Sequence, residues 1–94
     1  MDALPSVALL ESTHDFPGPY MFKVIGWSQD DFAGRIVEAV RDEMEGADDP
    51  PYRVRSTSGG RHVSVTLEPV MESAWQVLAV YRRIREAEGL IMVW

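Results

Sequence analysis

Residues 16–32 read FPGPYMFKVIGWSQDDF, and the order of residue types in this stretch decides how the chain folds. Phe22 and Val24 alternate with Met21, Lys23 and Ile25, the period-2 signature of a strand expected over residues 20–27. Pro17 and Pro19 stand just before it. Each fixes its own φ and lacks an N–H, so both suit the approach to a strand and not its paired middle. Gly26 is expected to let the chain turn sharply and Ser28 to cap a helix. Asp30 and Asp31 then sit in the first helical turn, where the dipole favours negative charge.

Working outward, Phe32, Ile36, Val40 and Met44 recur every fourth residue with Ala33, Val37 and Ala39 beside them, an apolar helix face reaching about residue 44. Gly46 and the run Asp48-Asp49-Pro50-Pro51 end that helix. Two strands, over residues 52–56 and 61–68, flank Ser58-Gly59-Gly60, which reads as a hairpin turn. In the second of them Val63, Val65 and Leu67 alternate with His62, Ser64 and Thr66. A second helix follows Pro69, over about residues 72–88, with Ala74, Val77, Leu78, Tyr81 and Ile84 as its stripe and Gly89 just past its end. A last strand covers residues 90–94. Residues 1–15 show no sustained period and are expected to form a flexible N-terminal tail, leaving 16–94 as a single domain.

The order β-α-β-β-α-β implies an α+β fold of the ferredoxin-like split type: a four-stranded antiparallel sheet with both helices on one face. By strand parity Phe22, Val24, Val54, Val63, Val65, Leu67, Met92 and Trp94 should meet the helices. The opposite sheet face is left open.

Composition narrows the classes. With 94 residues, 46% hydrophobic and 26% charged, the chain can bury one core and has no reason to be disordered. It contains no cysteine, which excludes disulfides, thiolate catalysis, Cys-ligated zinc and iron–sulfur clusters, and fits a reducing cytoplasm. The start, MDALPSVALLE, has Asp2 where a signal peptide carries a base, and no apolar run is long enough for a membrane span. A soluble, cytoplasmic protein is expected. The net charge of −6 is unevenly placed: eight acids against Arg35 and Arg41 between Gln29 and Asp49 account for all of it. Residues 52–67 instead carry Arg53, Arg55 and Arg61 and no acid.

FPGPYMFKVIG at 16–26, SGGRHVSVT at 58–66 and the closing IMVW together resemble the YbeD family of small bacterial proteins of unassigned function. The resemblance covers nearly all of residues 16–94. It implies a ferredoxin-like fold similar to ACT regulatory domains and a regulatory role linked to lipoate, with no established catalytic residues. His62 stands where the family carries a tyrosine after the hairpin glycine.

The open sheet face is the main candidate site. Lys23, His62, Ser64 and Thr66 project there by parity, with Arg53 and Arg55 beside them, a surface suited to a carboxylate, a phosphate or a protein partner. A solvated face is the plainer reading. RNA reading on such a sheet needs outward rings on the central strands. Met21, Lys23, Ile25, His62, Ser64 and Thr66 offer one, so no nucleic-acid partner is expected. The junction Gly26-Trp27-Ser28 is where an ACT-like domain places a small ligand, although Asp30 and Asp31 would repel an anion there. Trp75 falls off the apolar stripe of its helix, and either marks an interface or covers a sheet edge or the N-terminal segment. Neither a metal site, a cofactor nor a catalytic set is expected: His62 has no acid near it in sequence, and no phosphate loop, zinc pair or nucleophile elbow is present. The leading function is a non-catalytic regulatory or adaptor domain acting through an unknown protein partner or self-association. A small-ligand sensor for an amino-acid-like or lipoyl/octanoyl compound comes next, and a hydrolase of the acylphosphatase kind last.

Overall fold

The computed structural model describes residues 4–46, 48–57 and 59–94. Its elements are α1 (Val7–Thr13), β1 (Gly18–Pro19), β2 (Phe22–Trp27), α2 (Phe32–Asp42), β3 (Tyr52–Ser56), β4 (His62–Leu67), β5 (Val70–Met71), α3 (Ala74–Arg85) and β6 (Leu90–Val93). The main sheet has the order β3-β4-β2-β6 with every neighbouring pair antiparallel. That is the ferredoxin-like split arrangement, with α2 over β4 and α3 over β6 on one face.

Register follows the alternation in β2 and β4. Phe22 lies opposite Leu67 and Val24 opposite Val65, and all four are fully buried with Val63 under the helices. From the helices, Phe32, Ile36 and Val40 of α2 and Val77, Val80, Tyr81 and Ile84 of α3 close the core. Apart from Tyr81, no side chain bearing a polar or charged group is buried among the described residues.

Gly26 has a different task from the expected turn. It lies inside β2, and a Cβ there would fall 2.3 Å from the Phe32 ring, so its missing side chain is the slot that seats this ring in the core. The turn comes later, at Asp30 and Asp31, both left-handed with φ of 52° and 51°. The helix therefore starts at Phe32, four residues beyond the expected cap. Asp31 caps it by accepting from the Gly34 N–H at 3.3 Å, whereas Ser28 donates its backbone N–H to the Arg61 carbonyl. A left-handed aspartate is tolerated because its short carboxylate bonds locally.

Three expectations of burial are corrected. Met92 and Trp94 are about half exposed because β6 carries a bulge: its register shifts between Ile25 and Gly26, with Leu90 opposite Gly26 and Met92 opposite Ile25. The extra residue, Ile91, reverses the parity beyond it, so Leu90 and Val93 pack on the core and Met92 and Trp94 turn outward. Val54 has the right parity, opposite Val65, yet is 48% exposed, since every residue of edge strand β3 is exposed. Val63 and Val65 face inward and Ser64 and Thr66 outward, as expected.

Residues 4–15 are more ordered than a tail. Ser6 caps α1 through the Leu9 N–H, and Leu10 is buried. Leu4 and Val7 pack against the core as well, while residues 1–3 lie outside the described ones. His14, Tyr20, Phe22 and Tyr81 then form a chain of rings with successive centroids 4.8–4.9 Å apart, and the Tyr20 and Tyr81 hydroxyls share a hydrogen bond of 3.0 Å. β1 pairs with β5, Gly18 opposite Met71 and Pro19 opposite Val70, so Pro19 does join a short ladder, where it is exposed. In the β3–β4 hairpin Gly59 and Gly60 take φ of 88° and 72°, and Ser58 lies outside the described residues. α3 begins at Ala74, capped by Ser73.

Three measurements test this packing. Gly26→Ala should cost about 1–3 kcal/mol in urea unfolding through overpacking, and less in a Phe32→Leu background where the ring is gone; an equal cost in both backgrounds would refute the ring-seat account. Leu10→Ala should cost about 2–5 kcal/mol, whereas a loose tail would leave the midpoint unmoved. Burial first, and the Tyr20 hydrogen bond second, push the Tyr81 phenol well above its ordinary value. Its contribution to stability is then complete below pH ~10, the ordinary phenol value, and is lost above it as the unfolded chain ionises. Tyr81→Phe should flatten the alkaline fall in unfolding free energy, and an unchanged slope would count against this.

Candidate functional site

The uncovered sheet face is laid out in cross-strand rows. One row runs Arg53–Thr66–Lys23–Trp94 across β3, β4, β2 and the chain end, with Lys23 and Trp94 exchanging both backbone hydrogen bonds at 2.8 and 2.9 Å. The next runs Arg55–Ser64–Ile25–Met92, and below it His62 pairs with Trp27. All six expected face residues, Lys23, Arg53, Arg55, His62, Ser64 and Thr66, thus share one surface. Lys23, Arg53, Arg55, Ser64 and Thr66 line a concavity of ≈ 460 Å³ together with Val54.

Of the other half of this face, the outward positions read from the sequence include Ile25 but not Trp27, Met92 or Trp94. Trp27, Met92 and Trp94 are 46–50% exposed, and with Ile25 they make an apolar side next to the cationic one. The ring count used against RNA is corrected accordingly: the central strands carry two outward rings, His62 and Trp27, the latter extending the outward parity of β2, and the β6 bulge delivers Trp94 at the adjoining edge. Trp27 and His62 rest on each other, with centroids 4.7 Å apart and planes tilted by 54°. The His62 ring is thus engaged with Trp27. A signal for Trp27 was legible in the period of β2; none could have announced the bulge at Ile91.

At the strand–helix junction, the backbone of Trp27 is held by the Gly89 carbonyl. Arg35 stitches the place together. Its guanidinium donates to the carbonyls of Asp30, Glu88 and Gln29 at 2.9, 3.0 and 3.4 Å, and its charge lies 5.5 Å over the Phe32 ring. Ser28, Gln29, Asp30 and Asp31 line a hollow of ≈ 170 Å³, where Asp31 already caps the helix and both acids carry the strained turn. Gly26 is buried beneath Phe32 and offers nothing to a ligand.

Trp75 is 65% exposed, so it covers neither a sheet edge nor the N-terminal segment. It lies on α3, away from the open sheet face. Among the described residues no group of three or more His, Asp or Glu side chains is placed to hold a metal ion, and no helix is long and apolar enough to cross a membrane.

Comparison with known proteins agrees with this architecture. A UPF0250 protein of Haemophilus influenzae is 31% identical over 86 residues, 92% of this chain and 91% of the relative. One from Shewanella piezotolerans is 30% identical over 76 residues, 81% of this chain and 84% of the relative. The solution structure of protein HP0495 from H. pylori matches with a TM-score of 0.65 over all of this chain and 98% of that one, at 10% identity, a likeness of fold alone. Residues 11–94 match the family described as Protein of unknown function (DUF493). With its sheet order, its relatives and this match in agreement, the chain belongs to that YbeD-like bacterial family of unknown function.

Proposed function

We propose that this chain is a non-catalytic regulatory or adaptor module of the cytoplasm that docks a protein partner on the open face of its sheet. The observation carrying this reading is the half-exposed apolar side of that face, Trp27, Met92 and Trp94, set against the cations of β2 and β3. Large aromatic groups at the centre of a polar surround are the usual anchors of an interface. His62 supports a binding role over a catalytic one, since its partner is the Trp27 ring and no carboxylate hydrogen-bonds to it among the described residues. The relatives carry no enzymatic name, in keeping with a binding module.

A second reading, favoured by the ≈ 460 Å³ concavity over Lys23, Arg53 and Arg55, is a sensor of a small carboxylate compound, amino-acid-like or acyl. A ligand at 100 times its Kd would raise unfolding free energy by about 2.7 kcal/mol.

Affinity capture from native extract separates these. The immobilised chain should retain partner proteins, and a Met92→Glu/Trp94→Glu double variant should lose them while Trp75→Ser keeps them. The same set of proteins on wild type and double variant would overturn the docking reading. A thermal shift with carboxylates and no captured protein would favour the sensor.

A further inference from the structure

The open face is graded and not uniform, and that grading points to the chemistry of its occupant. Resting on the docking reading above, we propose that the partner presents an acidic amphipathic segment, with carboxylates over the β3–β4–β2 side and apolar residues over the β2–β6 side.

The first argument is charge. In the row Arg53–Thr66–Lys23 two cations flank a hydroxyl, and with neighbouring strands about 4.8 Å apart the two Cα atoms lie about 10 Å from each other. A carboxylate above Thr66 reaches both cations and the hydroxyl, and Arg55 beside Ser64 offers a second such place. Charge-assisted hydrogen bonds of this kind are the strong ones. The outward strand positions hold no acid to neutralise these groups: they are Arg53, Arg55, His62, Ser64, Thr66, Lys23, Ile25, Trp27 and Met92. Glu68, one residue past β4, is the carboxylate nearest to them in sequence.

The second argument is the adjoining apolar side. Ile25 shares β2 with Lys23, and Met92 of β6 and Trp94 just past it lie one strand from Lys23 and three from Arg53 and Arg55, so a single segment spanning the sheet meets both kinds of surface. A free anion would leave this side uncovered. A second copy of the chain is a poorer fit. Its acids cluster on and around α2, whose apolar residues Phe32, Ile36 and Val40 are already buried in the core, so α2 would satisfy the cations and leave the tryptophans wet. RNA would bring phosphates to the cations, but Trp27 and His62 lean on each other at a tilt of 54°, which takes up part of the stacking surface a base needs.

Selection of a random-peptide display library on the immobilised full chain tests this. Enriched peptides should combine Asp or Glu with aliphatic or aromatic residues. Lys23→Glu/Arg53→Glu should weaken the best of them by about tenfold or more in fluorescence anisotropy, equivalent to 1.4 kcal/mol, and abolish the acidic enrichment. Met92→Glu/Trp94→Glu should remove binding, and Trp75→Ser should leave it intact, with circular dichroism and thermal midpoints showing each variant folded. Enrichment without acids, no enrichment, tighter binding of an oligouridine, or a dimer in sedimentation equilibrium that Trp94→Glu abolishes would each overturn the proposal. If that happens while captured proteins still depend on Met92 and Trp94, only the acidic-partner inference fails; if capture ignores those residues, the docking reading falls with it.

Discussion

The seat of the Phe32 ring on Gly26 is the contact from which the rest of the architecture follows. A ring can enter the middle of a sheet face only where a strand residue withdraws its side chain, and β2 does this at Gly26. The contact sets α2 directly over the β2–β4 pair. It also sets the path of the preceding loop, which must rise from the sheet and return within four residues. Two consecutive left-handed aspartates achieve that return. Each is in a sparsely populated region of backbone space, and conformations of this type persist where the surroundings over-determine them. Arg35 supplies the surroundings, tying the Gln29 and Asp30 carbonyls to the Glu88 carbonyl in the turn after α3.

The consequence reaches the last strand. With the turn after α3 held by Arg35 and the Gly89 carbonyl bonded to Trp27, β6 enters beside β2 at Leu90. The chain then takes in Ile91 as an extra residue before pairing resumes at Met92. That bulge moves two large apolar side chains from the core side to the open side. On the core side Leu90 and Val93 stay packed against the buried cluster, to which Leu10 of α1, Phe22 and Tyr81 also belong. So a packing decision under the sheet dictates the surface above it.

That surface has two halves with different energetics. Exposed tryptophan and methionine are ordinary when scattered, but three of them adjoining cations that form no ion pair among the described residues make a contiguous region of the kind that marks an interaction site. The acids responsible for the net charge of −6 belong to the segment of α2 and its flanking loops, on the far side of the sheet. Separation by the thickness of the domain exceeds the screening length at physiological salt, about 8 Å. The open face therefore acts as a locally positive surface on an acidic protein.

Much of this was legible in the residues themselves. Alternation in β2 and β4 determined which side of the sheet is buried, because a period of two assigns every side chain to a face once one neighbour is assigned. The four-residue recurrence from Phe32 to Val40 and the stripe on α3 determined two helices on that side, and the six polar and basic face residues followed. Three features were decided by tertiary structure alone. The start of α2 depends on the fit of a ring into a slot, the order of residues 7–13 on burial of Leu10 against α3, and the outward turn of Met92 and Trp94 on a bulge. Each involves partners distant in sequence, and local propensity and period carry no record of such contacts. A one-residue shift in pairing leaves the apolar pattern of LIMVW unchanged while exchanging its faces, and only the neighbouring strand can choose between them.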